Sequence, residues 1–284
     1  MPGRTGGTKG ESIRDLLKVR PRRGQVDLAA IDPAETNGIK RYEADERTLA
    51  DEEHITALQE NLHAEGKRSI LIVLQGMDTS GKDGTIRYAL RGLNPQGVRI
   101  VSFKAPTLSE RRHQFLWRIR RQLPRPGEIV IFNRSHYEDV LIAKVRELAS
   151  PKVIDDRYDA INRFEADIAK RGTTIVKLFL HISADEQRAR LLARLGEPAK
   201  HYKFSRNDIS ERRYWDDYQE AYSAALGRCS SVAAPWYVIP ANRKWYRNWA
   251  ITQLLIETME EMKLTYPNPN LDVRALKKSL QAAA

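Results

Sequence analysis

Gln75-Gly76-Met77-Asp78-Thr79-Ser80-Gly81-Lys82-Asp83-Gly84 is the stretch that decides the fold. An apolar run precedes it, Ser69-Ile-Leu-Ile-Val-Leu74, and a segment with helical spacing follows, Thr85-Ile-Arg-Tyr-Ala-Leu-Arg-Gly-Leu93. Strand, glycine-rich turn and helix form the context in which such a loop binds phosphate. Gly76 and Gly81 permit backbone conformations that a side chain blocks, so successive N–H groups can point inward at an anion. The positive end of the following helix adds to this, and Lys82 adds a mobile point charge. One position departs from the pattern G-x-x-x-x-G-K-[ST]. Asp83 stands where a hydroxyl would bind Mg²⁺, and a second carboxylate, Asp78, lies inside the loop. Acidic groups in a loop built for anions either hold a metal or weaken phosphate binding. The strand and helix on either side favour the metal.

The 284 residues are 41% hydrophobic and 30% charged, enough for one large core. No apolar run approaches the ~18 residues of a membrane span. The first ten residues carry no apolar stretch of the secretory type. Cys229 is the only cysteine, which excludes a disulfide scaffold or a cysteine metal site and points to a reducing cytoplasm. The net charge of +11 calls for a polyanionic partner: nucleic acid, an anionic membrane or a phosphate-rich substrate.

Five strands are expected, at 69–75, 98–103, 128–132, 173–182 and 235–240, each separated from the next by helix. That order predicts a parallel sheet with crossovers, an α/β fold in three layers. Residues 1–45 read as a partly flexible arm, 46–265 as one domain and 266–284 as a tail. Helices are expected at 45–66, from Ser109 to about 122, at 137–149, 152–171, 184–195 and 208–228, and from a cap at Asn242 to about 264. The segment 196–213 is basic and hinged by Gly196 and Pro198, as in a lid that closes arginines over a transferring phosphate; a basic surface loop is the plainer alternative. Ligands of parallel sheets bind at the C-terminal strand ends. Here those ends carry 76–84, Lys104-Ala-Pro-Thr107, and Asn133-Arg-Ser-His-Tyr-Glu-Asp139.

Loops of this kind pair with a second strand ending in an acid that holds Mg²⁺. The strand at 128–132 ends instead in Asn133, a weak ligand, with Glu138 and Asp139 following. Asp78 and Glu138 are therefore expected to share the metal, although Glu138 and Asp139 could merely complement a helix start. Arg134 is expected to face the phosphates of the loop. Arg111, Arg118 and Arg121 would share one face of the helix from Ser109, and Arg118 is the one assigned to phosphate. Lys203, Arg206, Arg212 and Arg213 form the basic cluster of the lid. The tryptophans at 236, 245 and 249 are read as core.

Taken together, Gly76-Met-Asp-Thr-Ser-Gly-Lys-Asp-Gly84, Phe103-Lys-Ala-Pro-Thr107, Phe132-Asn-Arg-Ser-His-Tyr-Glu-Asp139, Lys203-Phe-Ser205, Trp215-Asp-Asp-Tyr218 and Pro235-Trp-Tyr-Val238 resemble the polyphosphate kinase 2 family over about residues 25–265. The resemblance implies a P-loop kinase fold like that of thymidylate kinases, with a helical lid. It implies reversible, Mg²⁺-dependent (or Mn²⁺-dependent) phosphoryl transfer between inorganic polyphosphate and AMP, ADP or ATP, with guanine nucleotides as further acceptors. A homo-oligomer, dimer or tetramer, is implied, with no nucleic acid and no membrane. Asp78, Lys82, Arg134, Glu138 and Asp139 would be catalytic, and Asp78, Glu138 and Asn133 would hold the metal. Gly76, Thr79, Gly81, Lys82, Asp83, Gly84, Lys104, Arg118, Arg134, Lys203 and Arg206 would line the polyphosphate. Asn133 with Glu138 looks like the class III subgroup, which phosphorylates both AMP and ADP. Two rival readings are an ATP-dependent kinase of a nucleotide or small metabolite, and a nucleic-acid-binding module that keeps the loop as scaffold.

Overall fold

The computed structural model describes residues 12–267 and 270–282. Its strands are β1 (Ser69–Gln75), β2 (Val98–Ser102), β3 (Ile129–Asn133), β4 (Thr173–His181) and β5 (Trp236–Pro240). Its helices are α1 (Ile13–Leu17), α2 (Arg41–Glu65), α3 (Lys82–Tyr88), α4 (Trp117–Arg120), α5 (Glu138–Val145), α6 (Pro151–Lys170), α7 (Ala184–Leu195), α8 (Arg206–Glu211), α9 (Trp215–Arg228), α10 (Lys244–Glu261) and α11 (Val273–Ala282). The sheet order is β2-β3-β1-β4-β5, and every pairing is parallel.

Alternation along each strand explains the three layers. Ile70, Ile72 and Leu74 of β1 join a core that includes residues of α1, α2 and α10. Leu71 and Val73 point the other way, into a core with α5, α6 and α9. With both faces covered, all seven residues of β1 are buried, which is why the run reads as continuously apolar. The register sets Leu74 beside Asn133 and Asn133 beside Ser102, so β1, β2 and β3 end together. Among the described residues no helix is long and apolar enough to cross a membrane.

The arm before α2 lies along β5. Lys18 bridges Tyr237, and the Val19 N–H donates to the Trp236 carbonyl at 2.9 Å. Ile13, Leu17, Val19, Val26 and Leu28 are buried. Further on, His181 at the end of β4 sets its Nε2 3.1 Å from the Ile31 carbonyl. The arm and β4 bury that ring and lower its pKa from the ordinary imidazole value.

Three expected helices differ from those observed. No helix runs from Ser109 to 122: a single 3₁₀ turn, Glu110–Arg112, and the short α4 replace it, and Ser109 caps nothing. Side chains help to hold the chain around them. Glu110 accepts from the Thr107 N–H at 2.8 Å and Gln114 from the Leu116 N–H at 3.0 Å. The expected helix at 208–228 is interrupted by a 3₁₀ turn at Arg212–Tyr214. Asn242 does not cap α10; its Oδ1 accepts from the Ser183 N–H at 3.0 Å and its Nδ2 donates to Ser183 Oγ at 3.1 Å, which ties the end of β5 to the start of α7.

Two measurements test how the arm is held. A Cβ at Gly227 of α9 would lie 2.3 Å from the Gly24 carbonyl oxygen and 2.5 Å from Gln25 N. Gly227→Ala should therefore push the arm off α9 and lower stability by about 1–3 kcal/mol in denaturant titrations, the usual range for overpacking. The depressed pKa of His181 means that the folded chain binds its proton less readily than the unfolded one. Acidification below pH ~6.5, the ordinary imidazole value, should loosen the arm. Faster proteolysis or amide exchange around Leu28 and Ile31 at pH 5 than at pH 7, flattened in His181→Gln, is the expected readout.

Candidate active site

The loop after β1 takes its shape from steric demands. A Cβ at Gly76 would sit 2.8 Å from the Leu180 carbonyl oxygen, and Gly81 adopts φ 105°. Thr79 is left-handed at φ 62°, an unfavourable conformation for a residue with a β-branch, so the loop holds local strain. The Ser80 N–H bonds to the Met77 carbonyl at 3.1 Å, and the Thr85 N–H to the Gly81 carbonyl at 2.8 Å opens α3. Lys82 folds back over the turn, donating to the carbonyls of Gly76 at 2.7 Å and Met77 at 3.2 Å. Loss of water lowers its pKa, against the carboxylates of Asp78, Glu138 and Asp83. The hydroxyls of Thr79, Ser80 and Thr85 are buried without a hydrogen-bond partner. Unmet polar groups of this kind suit a polar ligand.

β3 delivers the second half of the site. The Arg134 N–H donates to the Leu74 carbonyl at 3.1 Å, and Arg134 itself is left-handed at φ 64°. Its guanidinium donates to Asp78 Oδ1 at 3.2 Å. Burial works against the charge of Arg134, but Glu138 and Asp78 outweigh it and raise the pKa. Glu138 is raised by its own burial, opposed by Arg134, Lys82 and Gln75. Gln75 is oriented so that its oxygen accepts from Ser135 Oγ at 3.1 Å and its nitrogen donates to Glu138 Oε1 at 3.1 Å. Asn133 donates through Nδ2 to Asp83 Oδ1 at 3.0 Å. Tyr222 of α9 is buried near Glu138, Arg134 and Asp78, and that burial holds its phenol well above the ordinary value.

Asp78, Lys82, Asp83, Asn133, Arg134 and Glu138 are thus brought together. Asp139 is not in that group: its charged neighbours are Arg157, Arg118 and His136, and burial raises its pKa. Lys104 is exposed, and its carbonyl accepts from Arg118 Nη1 at 2.8 Å. Arg118 is largely buried, over the Phe103 ring at 5.4 Å, so its guanidinium ties down the 103–118 segment rather than lying on the face of a long helix. Lys203 is exposed, its amine 5.6 Å above the Tyr202 ring, while its carbonyl accepts from Arg194 at 2.9 Å. The side chain of Arg206 lies outside the described residues.

Among the described residues no group of three His, Cys, Asp or Glu side chains could hold a metal. Asp78 and Glu138 nevertheless fit Mg²⁺, which is commonly held by one or two carboxylates, with waters and substrate phosphates completing the octahedron. Mn²⁺ accepts the same oxygen donors. Asn133 has only its carbonyl oxygen to offer, since its nitrogen is committed to Asp83.

Several residues around the site were not singled out from the sequence. Arg190 donates to the carbonyls of Thr79 at 2.9 Å and Ser80 at 3.0 Å, and Arg247 packs against Gly81. Beneath the 134–138 turn lies a buried polar cluster. Lys177 Nζ donates to Glu165 at 2.5 Å, to the Cys229 carbonyl at 2.6 Å and to Tyr137 Oη at 2.8 Å. Glu165 also accepts from Tyr137 at 2.9 Å and lies 3.2 Å from His136 Nε2. Burial raises the Glu165 pKa, but Lys177 and His136 prevail and hold it below the ordinary value.

A family model, Polyphosphate kinase 2 (PPK2), matches residues 38–267. An AMP/ADP-polyphosphate phosphotransferase of Meiothermus ruber is 50% identical over 248 residues, covering 87% of this chain and 93% of that protein. An ADP-polyphosphate phosphotransferase of Rhodopseudomonas palustris is 44% identical over 227 residues, 76% of this chain and 78% of that one. The crystal structure of polyphosphate kinase 2 from Arthrobacter aurescens TC1 superposes with a TM-score of 0.91 at 43% identity, covering 96% of this chain and 98% of that one.

Removing one partner of a buried ion pair leaves the other charge uncompensated, at about 3–5 kcal/mol. Lys177→Met is expected to lose that much stability in urea titrations, and Lys177→Met with Glu165→Leu to recover a large part of it.

Proposed function

The chain belongs to the polyphosphate kinase 2 family, and we propose that it transfers phosphoryl groups reversibly between inorganic polyphosphate and both AMP and ADP. The observation that carries this is the Asp83–Asn133 hydrogen bond at 3.0 Å beside the Asp78–Arg134 contact at 3.2 Å. The position that would offer a hydroxyl to a nucleotide-bound metal is an acid held by the end of β3. The loop is thus built for a different phosphate donor than ATP. Use of both acceptors is supported by Asn133 with Glu138 and by the activity for which the Meiothermus ruber relative is named.

In this reading the terminal phosphates of the polyanion lie in the loop at 76–81. Lys82 exchanges its bonds to the Gly76 and Met77 carbonyls for phosphate oxygens. Arg134, held between Asp78 and Glu138, steadies the transferring group from the side of β3. Mg²⁺ or Mn²⁺, held by Asp78 and Glu138 with the Asn133 carbonyl beside them, would neutralise phosphate charge when bound. An acceptor phosphate oxygen is already ionised, so the residues have to position and screen it rather than remove a proton. Gln75 fixes the Glu138 carboxylate for that purpose. Asp139, outside the group around Asp78 and Glu138 and beside Arg157 and Arg118, would orient a nucleotide phosphate or a metal-bound water from the edge of the site. The basic stretch 196–213 serves as a lid that brings Lys203 and Arg206 to the chain of phosphates. The enzyme works in the cytoplasm as a homo-oligomer; the single buried cysteine and the net charge of +11 are consistent with that compartment and a polyanionic substrate.

Purified protein with Mg²⁺, polyphosphate and AMP should form ADP and then ATP, followed by nucleotide chromatography. EDTA should stop the reaction. Lys82→Ala should lower kcat by about 10²–10³, the usual loss when one charge-stabilising donor is removed. Product from ADP but not AMP would leave the family reaction and remove the dual-acceptor assignment. Activity only with ATP as donor would sink the proposal.

A further inference from the structure

α10 packs its apolar residues as a buried stripe, and Arg247 lies in that stripe between Tyr246 and Ala250. It is only 2% exposed. A buried cation is normally paired with a carboxylate. Arg247 has no such partner among the described residues. Its Nε and Nη2 donate to Asn248 Oδ1 at 3.1 and 2.8 Å, and its Nη1 reaches the Ser80 carbonyl at 3.5 Å. Arg190 also reaches this part of the loop, but its Nε is paired with Glu186 at 2.7 Å. The two guanidiniums therefore differ: among the described residues one is paired with a carboxylate and the other is not. Burial and the neighbouring Arg190 lower the pKa of Arg247 to about 10, which leaves it charged at neutral pH.

The loop is shaped around this group. A Cβ at Gly81 would lie 1.8 Å from Arg247 Nη1, and one at Gly84 would lie 3.1 Å from Nη2. The glycines of the motif do more here than free the backbone. They let a guanidinium press against the backbone of the turn itself. A unit charge held against the turn and away from water acts strongly on an anion that the loop binds.

Resting on the reading that this loop binds polyphosphate, we infer that Arg247 is a fixed cation in the floor of the loop, compensated by the phosphate chain when it binds and not by a carboxylate of the described residues. Arg247 is a positioning and charge-supplying residue behind the loop, and it need not touch the substrate. Two effects of opposite sign follow. Without ligand the buried charge is a burden on the fold. With ligand it strengthens binding, and the bound anion stabilises the protein more than the loop amides alone would. A residue that merely braced the loop would help both states alike.

The test uses the full chain, inorganic tripolyphosphate as probe, and Arg247→Met and Arg247→Lys. Thermal unfolding is read with and without tripolyphosphate, and the Kd by calorimetry. Arg247→Met should unfold at the wild-type temperature or above it when free, gain much less from tripolyphosphate, and bind it about 10-fold or more weakly, the scale of one poorly screened unit charge near the anion. Arg247→Lys, which keeps the charge but not the fork, should retain most of the stabilisation. The KM for AMP should stay near wild type in both. An unchanged Kd in Arg247→Met would overturn the inference, as would equal losses in the Lys and Met variants. If Arg247→Met does not fold, Arg247→Lys decides alone: retained tripolyphosphate stabilisation supports the inference, and lost stabilisation overturns it. Wild-type protein that binds no tripolyphosphate would remove the polyphosphate reading itself, a result separate from either variant outcome.

Discussion

The parallel pairing of β1 with β3 is the constraint on which the rest of the molecule depends. Its register places Leu74 opposite Asn133, so the two strands run out at the same level and their two turns meet. The Arg134 N–H bonds across to the Leu74 carbonyl, and its side chain then reaches Asp78. A shift of one residue would carry Asn133 away from Asp83 and turn every side chain of the strand to the opposite core. The continuous burial of β1 on both faces makes that shift prohibitive, so packing far from the chemistry sets distances within it.

A second constraint comes from below. The turn that holds Arg134 and Glu138 has a left-handed residue and a buried histidine and tyrosine, none of which would stay in place through local preference alone. His136 and Tyr137 both reach Glu165, and Tyr137 and Glu165 both reach Lys177. This network lies on the α5–α6–α9 face of the sheet and fixes the turn from one side, while Gln75 holds Glu138 from the other. Buried polar networks gain strength as their members are satisfied; here Lys177, Glu165 and Tyr137 all are, while His136 Nδ1 has no hydrogen-bond partner. The chemistry at the surface of the site is thus supported by one ion pair in the core.

The sequence carried the loop, the five strands and their parallel order clearly, because two-face burial and glycine placement leave direct traces in residue type. It misled between Ser109 and Gln122. Phe115, Leu116 and Ile119 have helical spacing, and Leu116 and Ile119 are indeed buried, but periodicity reports which residues are buried and not what satisfies the backbone. There Glu110, Gln114 and Arg118 bond to main-chain groups and take the place of helical bonds. Two other residues leave a trace in the sequence. Lys177 is a charge in a strand covered on both faces, and Arg247 is a charge in the apolar stripe of a helix. Each breaks the local pattern, and each lies against a turn of the site. Which partners they meet depends on contacts between distant parts of the chain, which spacing alone does not encode.

The arm along β5 has a consequence for the order of events at the ribosome. Arg14 lies beside Tyr237, 223 positions further on, at 3.4 Å. The segment made early can find its seat only after the last strand has left the exit tunnel. Until then β5 is absent, the outer edge of β4 is bare, and the Lys18–Val19 stretch has no strand to pair with, although Val26 can already meet Ser223 of α9. Folding of the sheet from β1 to β4 therefore proceeds with an unsealed side, and the arm closes it in a late, long-range step. The earliest of the described residues are among the last to become native.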